Sequence, residues 1–233
     1  MTSVPPFTAF FNPRDPLRFF NYAIPDEPVG GDLRGTLERL RGEFRQRERL
    51  PRFEYVEGFA PLLAAALEQA GFELELRAPL MTCPAAAIAE PAAVSGLEVV
   101  PATDDVRAFL TVGRRAFGSE GEPEAGNEEV EAWRARRAGT GSSLLGLLGG
   151  EPVAVASATP PQDGLSEVAG IGVLESARNQ GIGSVMTAAA ARNAATNGAE
   201  LVFLSPGSDD ARSVYERVGF RPAETMLHYV DAD

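Results

Sequence analysis

The segment IGVLESARNQGIGSVMTAAAA (171–191) constrains this chain more than any other. An apolar stretch gives way to a polar run holding Gly181 and Gly183, and an alanine-rich stretch follows at once. That pattern reads as a strand, a short turn and a helix, which places the helix against a sheet. Glycines in such a turn let the backbone approach a ligand and leave N–H groups pointing outward, while the helix N-terminus adds positive potential. The turn therefore reads as a pyrophosphate cradle. It is not a Walker loop, because no GK[ST] follows, and its spacing is not the GxGxxG of dinucleotide-binding folds.

The surrounding residues extend the alternation. LEVVPAT (97–103) reads as a strand and 104–117 as a helix opened by an acidic pair, with a second helix over 130–138. The stretches 143–150 and 151–160 form a hairpin around Gly149 and Gly150, a pair suited to positive φ. A strand over 167–174 precedes the glycine turn, and a helix spans 184–197. A buried strand (201–205), a helix (209–218) stopped by Gly219 and a last strand (225–230) complete the order. This succession argues for an α/β domain built on a mixed sheet.

The stretch PAAAIAEPAAVSG (84–96) is small, proline-punctuated and almost uncharged, as expected of an exposed connector. It divides the chain into a smaller N-terminal α/β unit (1–95) and a C-terminal domain (96–233). The N-terminal half reads as a worn copy of the C-terminal one. An offset of 148 positions aligns Gly71-Phe72 with Gly219-Phe220 without a gap, Gly35 with Gly183 and Glu68 with Glu216. The same offset lays helix 36–49 on 184–197, strand 53–56 on 201–204 and helix 60–70 on 208–218. A duplicated half-domain accounts for this.

Composition removes several function classes. The formal charge of -12 repels phosphate backbones and anionic lipid, so neither nucleic acid nor a membrane surface is an expected partner. One cysteine, Cys83, and one histidine, His228, cannot supply a disulfide or the nitrogen and sulfur ligands of a zinc site, so no metal is expected. No signal-peptide pattern and no stretch approaching about 20 apolar residues is present, which points to a cytoplasmic protein. All 21 basic residues are arginine, so the side chains offer no lysine amine for self-acylation. Oligomeric state is not legible, and a homodimer is compatible with the sequence.

Downstream of the glycine turn, Ala211, Tyr215, Gly219 and Phe220 stand in SDDARSVYERVGF (208–220). With Arg178, Gly181 and Gly183 they resemble the GNAT superfamily of N-acetyltransferases. Members carry an acyl-CoA loop of the form R/Q-x-x-G-x-G/A and then a helix ending A-x-x-x-Y-x-x-x-G-F. The likeness covers about 97–230. It implies a mixed, mostly antiparallel sheet with a V-shaped split between the strands near 167–173 and 201–205, the acyl-pantetheine lying in the gap. Acetyl-CoA is then the co-substrate.

By the same resemblance, the strand residues Ile171, Gly172 and Val173 border pantetheine, with backbone groups of Ile171 and Val173 pairing to it. The amides of Arg178, Asn179, Gln180, Gly181, Ile182, Gly183 and Ser184 hold the pyrophosphate, and the Arg178 side chain adds a charge-assisted phosphate contact. Ala211 lies on the helix beside the cofactor. Ser208 stands where many members carry asparagine, which puts one cofactor or water contact in doubt. Direct transfer needs a neutral amine, donors for the developing oxyanion and a proton for the departing thiolate. Tyr215 sits where the superfamily often has its general acid, and Glu167 where related enzymes often have a carboxylate that deprotonates the amine through water.

Glu120, Glu122, Glu124, Glu128, Glu129 and Glu131 stand in 120–131 without one basic residue. In a GNAT-like fold this region borders the acceptor pocket, so an acidic rim could draw in a cationic amine. His228, on the last strand, reads as a packed or surface residue rather than a base. In the N-terminal unit Leu67 stands opposite Tyr215, and GDLRG (31–35) retains one of the two loop glycines. That unit is expected to cover the sheet or wall the acceptor cleft, through 19–25 and 51–56. The expected activity is acylation of an amine of a small molecule or peptide. A non-catalytic acetyl-CoA-binding regulatory module and a protein N-terminal acetyltransferase remain open beside it.

Overall fold

The computed structural model describes residues 1–13, 20–118, 124–137 and 142–232. In chain order the elements are β1 (Thr2–Val4), β2 (Phe7–Phe10), β3 (Tyr22–Pro25), α1 (Arg34–Arg45), β4 (Arg52–Val56), α2 (Leu63–Gln69) and β5 (Phe72–Pro84). They continue as β6 (Leu97–Pro101), α3 (Val106–Phe117), α4 (Asn127–Arg137), β7 (Ser142–Leu148), β8 (Glu151–Ala158) and β9 (Leu165–Val173). The last are α5 (Ile182–Thr196), β10 (Leu201–Leu204), α6 (Asp209–Val218) and β11 (Arg221–Asp231).

Contacts divide the chain into a first unit, Met1–Leu80 with Pro222–Asp233, and a second, Met81–Arg221. The boundary differs from the expected one near residue 95. The end of β5 pairs with β10, from Met81↔Leu204 to Pro84↔Leu201, so it belongs to the second unit. The supposed connector is tied down as well: Ala85 N donates to Glu200 O and Ala89 N to Val218 O, both at 2.9 Å. Most of its residues are exposed, as expected of a connector, while its backbone is held to the second unit.

In the first unit the strand order is β1-β2-β3-β4-β11-β5. The β3–β4 pair is parallel, and β1–β2, β2–β3 and β4–β11 are antiparallel. Helix α1 buries Leu37, Leu40 and Phe44 at helical spacing, and α2 buries Leu63 and Leu67. Phe53 takes Phe7 and Phe72 edge to face, at 5.2 and 5.5 Å between ring centroids, each such contact adding about 0.5–1.5 kcal/mol beyond burial. Phe53, Tyr55 and Ala23 are buried in this unit's own core, which uses the apolar faces of β3 and β4.

In the second unit the order is β5-β10-β9-β8-β7-β6, mixed and mostly antiparallel, with β9–β10 parallel. Gly149 and Gly150 join β7 to β8 with φ of 59° and 89°, the two positive values that a type I′ turn requires. Helix α5 buries Ala188, Ala190, Ala191 and Ala194, small residues that let it lie close to the sheet. The closeness is measurable, since a Cβ on Gly146 of β7 would stand 2.9 Å from Met186 Sδ. Helix α3 begins with Asp105, whose carboxylate accepts from Ala108 N at 2.9 Å, and ends at Gly118 with φ 68°. Among the described residues no helix is long and apolar enough to cross a membrane, and no group of three or more His, Cys, Asp or Glu is placed to hold a metal.

Candidate functional site

The site is built on β9, which changes partner along its length. Leu165, Ser166 and Glu167 pair with Leu201, Val202 and Phe203 of β10, and past Glu167 the strand's pairing continues with β8. The sheet opens there. A register shift between β8 and β9 marks a bulge, and Gly170 within it has φ 62°. Leu174 N donates to Val153 O at 2.9 Å, so the amide of residue 174 faces β8. Backbone groups alternate edge along a strand, and those of Val173 and Ile171 therefore face the open side. A cofactor could pair with them there.

The turn leading from β9 reaches α5 through two left-handed residues, Asn179 (φ 63°) and Gly181 (φ 85°). Gly181 is the N-cap of α5 and gives it no side-chain acceptor. Helix α3 is capped by Asp105 and α6 by Ser208, whose Oγ accepts from Ala211 N at 3.2 Å. At α5 the contrast is plain: none of the amides of Asn179, Gln180, Gly181, Ile182 and Gly183 donates to another described residue. Five such amides on a turn with two left-handed residues, at the positive end of a 15-residue helix, fit an anionic group such as a pyrophosphate. Ser184 N is already bound to Gly181 O at 3.1 Å.

The Arg178 guanidinium, expected at a phosphate, bonds two backbone carbonyls. Its Nε donates to Val173 O at 3.2 Å and its Nη2 to Ala116 O at 3.4 Å, near the C-terminus of α3. The side chain is exposed, and both bonds are long. Gly172 is also fixed by packing: a Cβ there would meet Ala116 Cβ at 2.8 Å and Phe117 Cε2 at 3.2 Å, so only glycine lets α3 close on β9. At Gly183 a Cβ would meet Val214 Cγ1 at an ordinary 3.5 Å.

The Acetyltransferase (GNAT) family matches residues 107–220. A GCN5-related N-acetyltransferase from Kribbella flavida is 30% identical, over 98% of this chain and 87% of its own, with a TM-score of 0.78. This chain belongs to the GNAT acetyltransferase family. Two solved structures of lower identity share the fold. One is a GCN5-related N-acetyltransferase from Sphaerobacter thermophilus, at 16%, covering 96% of this chain and 75% of its own, TM-score 0.69. The other is a tandem GNAT protein from the clavulanic acid biosynthesis pathway, at 16%, covering 90% and 74%, TM-score 0.62. No curated protein matches the sequence.

The GNAT motif ending in Tyr215, Gly219 and Phe220 has a structural cause that its spacing alone does not disclose. Gly219 N donates to Glu216 O at 3.2 Å and Phe220 N to Tyr215 O at 3.1 Å, the two bonds of a Schellman cap. That cap calls for a left-handed glycine, here at φ 111°, and an apolar contact across the stop, here Tyr215 on Phe220 with centroids 6.3 Å apart. Tyr215 is thus held by packing. It is 9% exposed and its burial raises the phenol pKa. Its hydroxyl bonds to no other described residue and is not among the sealed polar atoms, so it keeps access to water.

One apolar cluster gathers Tyr215 and Ile182, with Ile171, Val173, Ala211 and Val214 packed against it, so these candidate residues share one core. Glu167 is exposed where β9 leaves β10. Ser208 Oγ caps α6 by accepting from Ala211 N. The acidic rim is also altered. Glu120 and Glu122 lie outside the described residues, while Arg114 bonds Glu129 and Arg134 pairs with Glu131 at 2.9 Å. Glu124 and Glu128 are exposed. His228 lies in the first unit, 8% exposed, with Nδ1 3.0 Å from Arg52 Nη2. Burial opposes ionisation of the neighbouring Glu54, yet His228 and Arg52 hold its carboxyl below the usual range.

Sequence reasoning missed Thr159, which bonds the backbone of Glu167, and Phe117, 61% exposed beside Gly172. For Thr159 a signal was present. The two prolines after it carry no N–H, which makes Thr159 the last residue before them able to donate to a ladder.

Proposed function

We propose that the second unit binds acetyl-CoA and transfers its acetyl group to an amine by direct attack. The observation that carries this reading is the set of five amides, Asn179 to Gly183, that donate to no described residue, set at the end of a strand whose other edge, past Glu167, pairs with no described strand. Acetyl-CoA supplies an activated thioester. The amides bind the pyrophosphate, and the backbone of Ile171 and Val173 orients the pantetheine arm toward the parting of β9 and β10. Glu167 takes a proton from the incoming ammonium through water, so that the neutral nitrogen attacks the carbonyl carbon as the carbon–sulfur bond breaks. Tyr215 donates its phenolic proton to the departing sulfur, and the proton that the acylated nitrogen sheds returns through water to restore the phenol. Burial, which raises its pKa, keeps the phenol protonated at neutral pH.

Ligand-linked stability tests the first step. Coenzyme A at a hundredfold excess over its Kd should add about 2.7 kcal/mol to folding stability, and Gly181→Val, placed at φ 85°, should abolish that gain. Thiol release from acetyl-CoA with spermidine, tryptamine and glucosamine tests the second. Binding without turnover on any amine would favour an acyl-CoA-responsive binding module.

A further inference from the structure

We propose that Thr159 is a positioning residue for Glu167, an inference that rests on the reading of Glu167 as the base. The two are bonded in both directions at 2.9 Å: Thr159 N donates to Glu167 O, and Glu167 N donates to Thr159 Oγ1. An antiparallel rung would use the Thr159 carbonyl as the second acceptor. That carbonyl instead accepts from Ser166 Oγ at 2.7 Å, a hydroxyl on a residue only 1% exposed. The threonine hydroxyl therefore closes the rung. Pro160 and Pro161 come next and carry no N–H, so the ladder cannot be continued by those two residues.

On its other edge Glu167 faces Phe203 in the last β9–β10 pair. Two ladders thus meet at this residue, and the threonine hydroxyl fixes one side of its peptide. The direction of the Glu167 Cα–Cβ bond follows from that peptide, so the hydroxyl governs where the carboxylate can reach. A hydroxyl that accepts from an amide also retains one proton to donate, which a carbonyl lacks. Thr159 is exposed, so its substitution leaves the core untouched.

The full chain is assayed by thiol release from acetyl-CoA with the same three amines, as Thr159→Val, Thr159→Ser and Glu167→Gln, with a thermal melt of each. Misplacing a reacting group by about 1 Å costs up to about a hundredfold, so Thr159→Val should lower kcat by about ten- to a hundredfold. The KM for acetyl-CoA should stay within about twofold, and Thr159→Ser within about threefold of the parent in kcat. Glu167→Gln should remove the acid limb of the kcat/KM profile, and Thr159→Val should move that limb while Tm holds. Parental kcat in Thr159→Val beside an impaired Glu167→Gln would overturn the positioning role and leave the base in place. Equal loss in Thr159→Ser and Thr159→Val would overturn it as well, as packing. An unaffected Glu167→Gln, or no turnover by the parent, would remove the base reading and this inference together.

Discussion

Replacing Gly219 by alanine should cost the second unit several kcal/mol, and the amount can be worked from its surroundings. Gly219 has φ 111°, beyond the left-handed well that non-glycine residues occasionally occupy, and such backbone strain costs about 1–3 kcal/mol. Its Cβ would also stand 2.6 Å from the carbonyl oxygen of Ala87 and 3.2 Å from Cys83 Sγ. Ala87 cannot easily retreat, because Ala85 N and Ala89 N are bonded to Glu200 O and Val218 O on either side of it. Overpacking of this kind costs about 1–3 kcal/mol, which brings the expected loss to about 2–6 kcal/mol of a total near 5–15. Urea unfolding followed by the fluorescence of Trp133, the sole tryptophan and a buried residue of this unit, measures it. Gly207→Ala is the control: it sits just before α6, lacks a positive φ and has nothing within 4 Å of its added Cβ, so it should stay within about 0.5 kcal/mol of the parent. A loss below about 1 kcal/mol at Gly219 would refute the claim that the turn demands glycine.

Tyr215→Phe should lower kcat by about 10²–10⁴-fold, with the Kd for acetyl-CoA within a few-fold and stability retained, because the ring contact with Phe220 survives and the hydroxyl bonds to no described residue; lost affinity with kcat intact would assign it to packing. Folding stability should fall as pH rises above about 10, since Tyr55 and Tyr215 are raised by burial and Tyr229 is pushed up to about 12, chiefly by burial, so the unfolded chain sheds these protons first. The basic residues are all arginine and do not titrate there. A Tm that stays flat to about pH 11 would contradict this reading. A fragment spanning 96–233 should fail to fold cooperatively, because it lacks Met81 and Cys83 of the core and the strand that pairs with β10; a sharp melt from that fragment would count against the contact-based boundary.

Much of the second unit was legible because its residues carry local instructions. Helix 209–218 has a serine cap, an acidic first turn and a stop glycine, and the structure returns the same bounds. The hairpin at Gly149 and Gly150 was equally plain. What stayed hidden depends on partners far apart in sequence. The acidic run 120–131 holds no basic residue, yet Arg114 and Arg134 reach Glu129 and Glu131 from outside it. Arg178 matches a phosphate-binding position, yet its bonds go to Val173 and to Ala116, 62 positions away. The bulge at Gly170 and the partner change at Glu167 depend on the strands across the sheet, which periodicity along one strand cannot report.

The repeat within the chain survives in the structure and explains why one copy alone carries the candidate site. An offset of 148 positions sets α1 on the start of α5, β4 on β10, α2 on α6 and β5 on β11. Gly71 and Gly219, both at positive φ, end the paired helices. The difference lies in the strand before the turn. By that offset Ala23 corresponds to Ile171 and Phe53 to Leu201. In the first unit Ala23 and Phe53 are directly paired, whereas Leu201 pairs with Leu165, six positions upstream of Ile171. The bulge at Gly170 lies within those six positions, and through them β9 leaves β10. Without such a segment β3 stays against β4, and the backbone that would receive a pantetheine arm is engaged by a strand. The turn has changed with it: Gly31, at φ 80°, keeps the left-handed geometry of Asn179, but Leu33 takes the place of Gly181 at φ -98°, so the second left-handed residue, at the helix entrance, is missing. Leu67 takes the place of Tyr215, keeping an apolar residue at the helix end without a phenol to donate. Restoring a glycine at Leu33 would therefore leave the first unit without a cofactor site, because the closed β3–β4 edge excludes the ligand independently of the turn.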